Sequence, residues 1–345
     1  MRLFFAAPAD FSALSQRHQA FARLLADRGF LVFYLEPLRS PGFGCRISSA
    51  GNCLRVVSLR MPFRAANSDF FHNAVVGLSL ALLKRKFKIN DSDVLWMAEP
   101  SMAALAACSW SKIIYDRCDL HGFFPGQTPS AWQRYESVLF SRADHILASH
   151  QRLLQDIPSD FRAKGILVGN ACADEIRAVA GGRSEGRLRL VSSGAHFDWV
   201  DCDWLAMLAQ HAGVELHVAG SGRGQAFERL IALDSVKFHG KLNQSELFEL
   251  YRHSDVGLVP FADIELISAV DPIKVYEFAA AGLRVWAKPV AGLRENVFID
   301  RFIGSYTDLE EAVAGFHPVL QAKPVPRWSE RLQTILDKTG LLRSD

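Results

Sequence analysis

A chain of 345 residues, 49% hydrophobic and 22% charged, is too apolar for a disordered protein and long enough for two domains, each with its own core. The net charge is only +2, and no run of about 18 apolar residues offers a membrane-spanning helix. The charge is uneven: residues 1–170 carry 20 Lys/Arg against 13 Asp/Glu and residues 171–345 carry 19 against 24, so the first half fits contact with an anionic surface.

The opening Met1–Ala7 is an apolar run cut short by Pro8 and Asp10, which reads as a buried first strand over Leu3–Ala7 and not as a signal peptide. A helix-period stretch follows with Phe21, Leu24 and Leu25 on one face; Gly29 ends it, and a second strand runs over Phe30–Leu35. Further strands are predicted at Leu54–Leu59, Val94–Met97, Lys112–Tyr115 and His145–Ala148. Between the first and second of these, apolar Ala74–Leu83 leads straight into Lys84, Arg85, Lys86 and Lys88. That is either a core helix with a basic end or a helix resting in a membrane interface. The six cysteines are scattered without a C-x-x-C pair or histidines at zinc spacing, so they read as free thiols of a reducing, cytoplasmic compartment.

Around 171–186 the composition turns to small residues and glycine, as a hinge would. Alternation then resumes with strands at Leu188–Ser192, Glu215–Ala219, Val236–His239, Val256–Pro260 and Arg284–Ala287. Helices are predicted at Asp203–His211, Gln225–Leu233, Gln244–His253 and Ile273–Ala281, with a last one at Trp328–Lys338 after a Pro-rich connector. Repeated alternation of this kind predicts two α/β domains with parallel sheets: 1–172, 187–325, and a C-terminal segment 326–345 returning to the first domain. Ligands of such sheets belong at the carboxyl ends of the strands.

The most informative segment is Val270–Gly282. Asp271 is placed to cap a helix that Pro272 opens and Gly282 ends. Lys274 and Glu277 then share one face near the helix start. A lysine there opposes the helix dipole, which is reasonable if an anion such as a diphosphate sits beside it. An exposed i,i+3 ion pair is the bland alternative. Asp91-Ser92-Asp93 and Asp201-Cys202-Asp203 match a metal-binding D-x-D, but both stand at element starts, where Asp caps are common.

The segment from Pro272 to Gly282 resembles the nucleotide-binding helix of GT-B glycosyltransferases of bacterial polysaccharide biosynthesis (family 4-like). Other pieces agree in order. Ser193–Asp201 resembles the G-x-x-x-x-W-x-D loop of teichuronic-acid-type transferases. Val236–Gly240 with Leu250–Phe261 resembles V-x-F-x-G … L-Y-x-x-x-D-V-x-L-x-P-F. In the first half, Gln16–Gln19 resembles Q-R-x-Q, and Tyr115–Asp119 with Phe124-Pro125-Gly126 resembles Y-D-x-x-D … F-P-G. The resemblance implies a GT-B fold of two Rossmann-like domains with parallel sheets facing a central cleft. It implies transfer from a UDP-sugar, with Lys274 at the diphosphate, Glu277 on the ribose and Ile273 at the same helix start. Gly240 and Lys241 would lie near the uracil, and Ser193, Gly194 and His196 near the phosphates or donor sugar.

Many retaining members carry a Glu eight residues before the ribose-binding Glu; here that position is Ala269. The site pattern is closer to xanthan-type glucuronosyltransferases, which are inverting, and glucuronate is the donor sugar this implies. An inverting transfer needs a base on the acceptor side. Asp119, just after a strand, is the first candidate and Asp116 the second, with turn-capping carboxylates as the structural alternative; His121 is a weaker candidate. The acceptor implied is a lipid-linked saccharide at the inner face of the plasma membrane, contacted through Lys84, Arg85, Lys86 and Lys88. No nucleic acid, no cofactor and no essential metal are expected. A UDP-sugar 2-epimerase of the same fold, or a non-catalytic nucleotide-sugar-binding protein, would share most of these features.

Overall fold

The computed structural model describes residues 1–13, 16–39, 42, 44–60, 69–176, 186–319 and 323–341, leaving out the side chains of 69–75 and 79. Two compact units emerge, Met1–Gly169 with Trp328–Asp345, and Asn170–Arg327. Most of the expected glycine-rich hinge, residues 177–185, lies outside the described residues.

The first unit is built on strands β1 (Arg2–Ala6), β2 (Leu31–Leu35), β3 (Gly44–Ser49), β4 (Leu54–Arg60), β5 (Val94–Met97), β6 (Lys112–Arg117), β7 (His145–Ala148) and β8 (Gly165–Leu167). They lie in the order β3-β4-β2-β1-β5-β6-β7-β8. Every pairing is parallel except β3 with β4. Its helices are α1 (Arg17–Asp27), α2 (Asp69–Phe87), α3 (Pro129–Arg142) and α4 (Gln151–Gln155). Burial on both faces explains why β1 is a continuous apolar run. Phe4 stacks on Phe33 at 4.8 Å and its neighbour Phe5 on Trp96 at 5.2 Å, on opposite sides of the sheet.

In the second unit β9 (Leu188–His196), β10 (Val214–Gly222), β11 (Val236–Gly240), β12 (Val256–Val259), β13 (Arg284–Ala287) and β14 (Arg301–Phe302) form one parallel sheet. Its order is β11-β10-β9-β12-β13-β14. The helices are α5 (Cys202–Ala209), α6 (Gln225–Ile231), α7 (Gln244–Arg252), α8 (Ile273–Ala281) and α9 (Tyr306–Ala314). Leu190, Leu216 and Val218 meet Trp204, Leu205, Phe227 and Leu309 in one core. On the other face α8 sits so close to β12 that a Cβ on Gly257 would fall 2.1 Å from the Phe278 ring. The strand order reverses between β9 and β12, so a crevice opens at their carboxyl ends. The last helix, α10 (Trp328–Thr339), belongs to the first unit, where Trp328 meets Phe21 of α1 edge-on at 5.4 Å.

Four elements were not expected from the sequence. β3 is mostly exposed and offers no apolar run, while β8 and β14 have three and two residues. α9 did carry a signal, the capping box Ser305-x-x-Asp308 followed by Leu309 and Ala312.

Val76, Leu80 and Leu83 of α2 are buried in the first unit's core, so those residues of the apolar run are spent on packing, while Leu78 is exposed. Lys84, Arg85, Lys86 and Lys88 are exposed, and Lys86 Nζ donates to the Cys45 carbonyl at 3.0 Å. No helix among the described residues is long and apolar enough to cross a membrane.

Candidate functional site

α8 begins one residue later than its capping pattern suggests. Pro272 is the N-cap residue, one position after Asp271. The Asp271 carboxylate accepts from the Asn170 N–H at 2.5 Å and the Tyr276 hydroxyl at 2.7 Å. Gly282 closes the helix in the left-handed conformation at φ 86°, as expected.

On the first turn of α8, Lys274 Nζ donates to Glu277 Oε2 at 2.5 Å and to the Tyr251 hydroxyl at 3.2 Å. Tyr251, from α7, is itself 2.7 Å from Ser193 Oγ at the end of β9 and donates weakly to Glu277 Oε2 at 3.4 Å. Ser193, Tyr251, Lys274 and Glu277 therefore form one hydrogen-bonded group at the carboxyl end of β9. Burial alone would lower the Lys274 ammonium, but the Glu277 carboxylate and the Tyr251 hydroxyl outweigh it, and its pKa is raised. The ammonium is fixed as a cation. Burial pushes the Tyr251 phenol up to about 12, so it stays protonated and can donate. The sequence assigned Tyr251 no role of its own. Its partners lie 23, 26 and 58 residues away, and only the fold joins them.

Gly194 follows Ser193 with φ 132°, and a Cβ there would stand 4.0 Å from Lys274 Cε. Beside it on β10, a Cβ on Gly220 would come within 1.9 Å of the Gly194 carbonyl oxygen. The two strands meet backbone to backbone here, so only glycine fits at 220. Ile273 is the half-buried first residue of α8. In the sheet register Ser193 is level with Ala219, and Ala219 with Gly240. Gly240 thus ends β11 two strands across from Ser193, roughly 9–10 Å away, with exposed Lys241 next.

His196 is placed elsewhere. Its Nε2 is 2.8 Å from Ser192 Oγ and its ring lies against Phe227 of α6, on the sheet face opposite Tyr251. Burial holds its pKa down to about 4, and a neutral imidazole packed in this way does not join the Lys274 group.

In the first unit the two carboxylates proposed as bases separate sharply. Asp116 is fully buried. It accepts from Arg17 Nε at 3.0 Å, pairs with Arg17 Nη2 at 2.9 Å, and accepts from Trp96 Nε1 at 3.2 Å. Arg17 also donates to the Val168 and Gly169 carbonyls. A carboxylate consumed in this way holds the fold and cannot reach a substrate, which removes Asp116 as a base. Asp119 is half-buried beyond the end of β6, and His121 is buried beside it, stacked on Trp132 at 5.3 Å.

The two D-x-D segments are capping and pairing sites. Asp201 caps α5 through the Trp204 N–H at 2.8 Å and pairs with Lys288. Asp93 is held by Arg2 and accepts from the Asn90 N–H at 3.0 Å.

Residues 186–315 match the family described as "Glycosyl transferases group 1". Among solved structures, a sucrose-phosphate synthase from Thermosynechococcus elongatus is similar at 14% identity and a TM-score of 0.72, covering 99% of this chain and 96% of that one. A structure described as "Trehalose-6-phosphate from E. coli bound with UDP-2-fluoro glucose" has 13% identity and a TM-score of 0.62 over 99% and 96%. The lipopolysaccharide outer core galactosyltransferase WaaB, in its apo form, has 10% identity and a TM-score of 0.62 over 98% and 100%. No curated protein matches the chain in sequence. The fold is of the GT-B type, with two Rossmann-like α/β domains, and the family match falls within the second unit.

Proposed function

We propose that this protein is a glycosyltransferase that moves a sugar from a UDP-sugar to a lipid-linked or membrane-associated saccharide in cell-surface polysaccharide synthesis. The observation that carries this reading is the Ser193–Tyr251–Lys274–Glu277 group at the carboxyl end of β9 and the start of α8. Lys274 has three N–H donors, and Glu277 and Tyr251 engage two, leaving one for a diphosphate oxygen. Both contacts on Glu277 fall on Oε2, and Oε1 accepts from no described residue, which suits a ribose hydroxyl. Free N–H groups at the start of α8 add favourable potential for the same anion. The family match to 186–315 covers this whole group, and a structure of similar fold is described as bound with a UDP-sugar analogue.

In the reaction proposed, an acceptor hydroxyl attacks the anomeric carbon of the donor and the bond to the diphosphate breaks. Lys274 balances the charge growing on the leaving UDP, and Asp119 takes the hydroxyl proton. Ala269, buried and without a carboxylate, stands where a retaining member would carry Glu, which favours inversion. Glucuronate as the donor sugar rests on the likeness of this pattern to xanthan-type enzymes. The exposed Lys84, Arg85, Lys86 and Lys88 supply the anionic-membrane contact, each cation adding about 1 kcal/mol at a charged surface.

Lys274→Ala tests the reading. Loss of a charge-assisted contact is expected to weaken UDP binding by about 1.5–3 kcal/mol in calorimetry, with the thermal melt preserved. Unaltered UDP affinity overturns the site. Conversion of UDP-sugar to an isomer without acceptor, or binding with no turnover in the presence of a lipid extract, overturns transfer as the activity.

A further inference from the structure

The first unit gathers a second set of chemistry-bearing side chains. One ligand atom from each of Cys118, Asp119 and His121 lies within 4.8 Å of the others. His18, 100 residues away on α1, brings its Nε2 to 3.4 Å from the Cys118 sulfur. A thiolate and an imidazole bound to one tetrahedral zinc at about 2.3 and 2.0 Å also stand roughly 3.5 Å apart, so this pair is already at ligand spacing.

Both histidines are buried, at 4% and 7% exposure, and Nδ1 of each is enclosed without a hydrogen-bond partner. An unsatisfied buried ring nitrogen costs about 1–3 kcal/mol. Burial pushes both imidazoles down to about 4, so both are neutral and ready to ligate at pH 7. Burial and the Asp119 and Asp116 carboxylates push the Cys118 thiol well up, so it is protonated and a poor nucleophile by itself.

We propose that His18, Cys118, Asp119 and His121 form a site for a soft divalent cation of the Zn²⁺ type, and that filling it shuts off transfer by engaging Asp119. The cation site stands on geometry alone; the inhibition rests on the reading of Asp119 as the base. One sulfur, two ring nitrogens and one carboxylate suit Zn²⁺ or Co²⁺ and disfavour Mg²⁺ or Ca²⁺, which take oxygen donors. On binding, the Cys118 S–H bond breaks, its proton passes to solvent, and the sulfur pair forms the bond to the metal. The imidazoles enter neutral and the carboxylate enters as the anion, so about one proton leaves per cation.

Metal-free full-length protein should be titrated with Co²⁺ and followed by sulfur-to-cobalt absorption, then with Zn²⁺ by calorimetry in two buffers of different ionisation enthalpy. The expected result is one cation per chain, about one proton released, and displacement of Co²⁺ by Zn²⁺. Cys118→Ser should abolish the absorption band, and His18→Gln should weaken binding by roughly tenfold or more. Absence of stoichiometric binding to the wild-type protein, or a band undiminished in Cys118→Ser, overturns the site. Zn²⁺ should also inhibit transfer, reversibly on adding a chelator. Stoichiometric binding with undiminished transfer would leave the cation site standing and overturn Asp119 as the base.

Discussion

Two ion pairs of similar chemistry occupy the two units, Arg17–Asp116 in the first and Lys274–Glu277 in the second. Arg17 and Asp116 are 2% and 0% exposed, and Trp96 and two backbone carbonyls complete their hydrogen bonding. Lys274 and Glu277 are 21% and 14% exposed, beside a crevice, and each keeps bonding capacity that no described residue uses. A carboxylate that is saturated and sealed does structural work. One that is charged, held in place and incompletely bonded is prepared to meet a ligand. Asp116 and Asp119, three residues apart, differ in exposure, the first fully buried and the second half-buried, which is why only the second is kept as the candidate base.

The comparison can be broken most forcefully at Asp119. Asp119→Asn should leave UDP affinity near the wild-type value and cut transfer by about 10²–10⁴-fold, as loss of a general base does. Wild-type turnover in a coupled UDP-release assay would return Asp119 to the class of Asp116. Asp116→Asn should act on folding. It leaves the buried Arg17 guanidinium uncompensated and should cost about 3–5 kcal/mol in urea denaturation of the full chain. A variant as stable as the wild type would mean that the pair is not what locks α1 to β6.

Tyr251→Phe sharpens the comparison with the smallest change. It removes one hydroxyl and keeps the ring against Phe278, 5.1 Å away. The loss of its bonds to Ser193 and Lys274 should weaken UDP binding by about 0.5–1.5 kcal/mol, with little change in the melting midpoint. A large drop in stability with unaltered UDP affinity would instead place Tyr251 with the structural pair.

The sequence made the second unit's site readable because Lys274 and Glu277 are one helical turn apart, so helix periodicity alone puts them together. Tyr251 was present within a motif but silent about its partners. The Arg17–Asp116 pair and the His18–Cys118 contact span 99 and 100 residues, a separation at which local patterns carry no information. For the same reason the cysteines seemed to lack histidine neighbours. His196 was misplaced because alternation along β9 sends it to the face opposite Ser193, and a loop-like motif hid that it is still strand. The apolar stripe of α2 was legible as apolar, but not what would cover it.

The meeting of β9 and β10 at Gly194 and Gly220 sets a limit on engineering. A library meant to alter donor preference would naturally randomise 193–196 and 220–222, the lips of the crevice. At 220 even an alanine methyl would overlap the neighbouring carbonyl oxygen, so that part of the diversity would be lost to misfolding before selection began. Residue 195, which is exposed, is where such a library should place its variation.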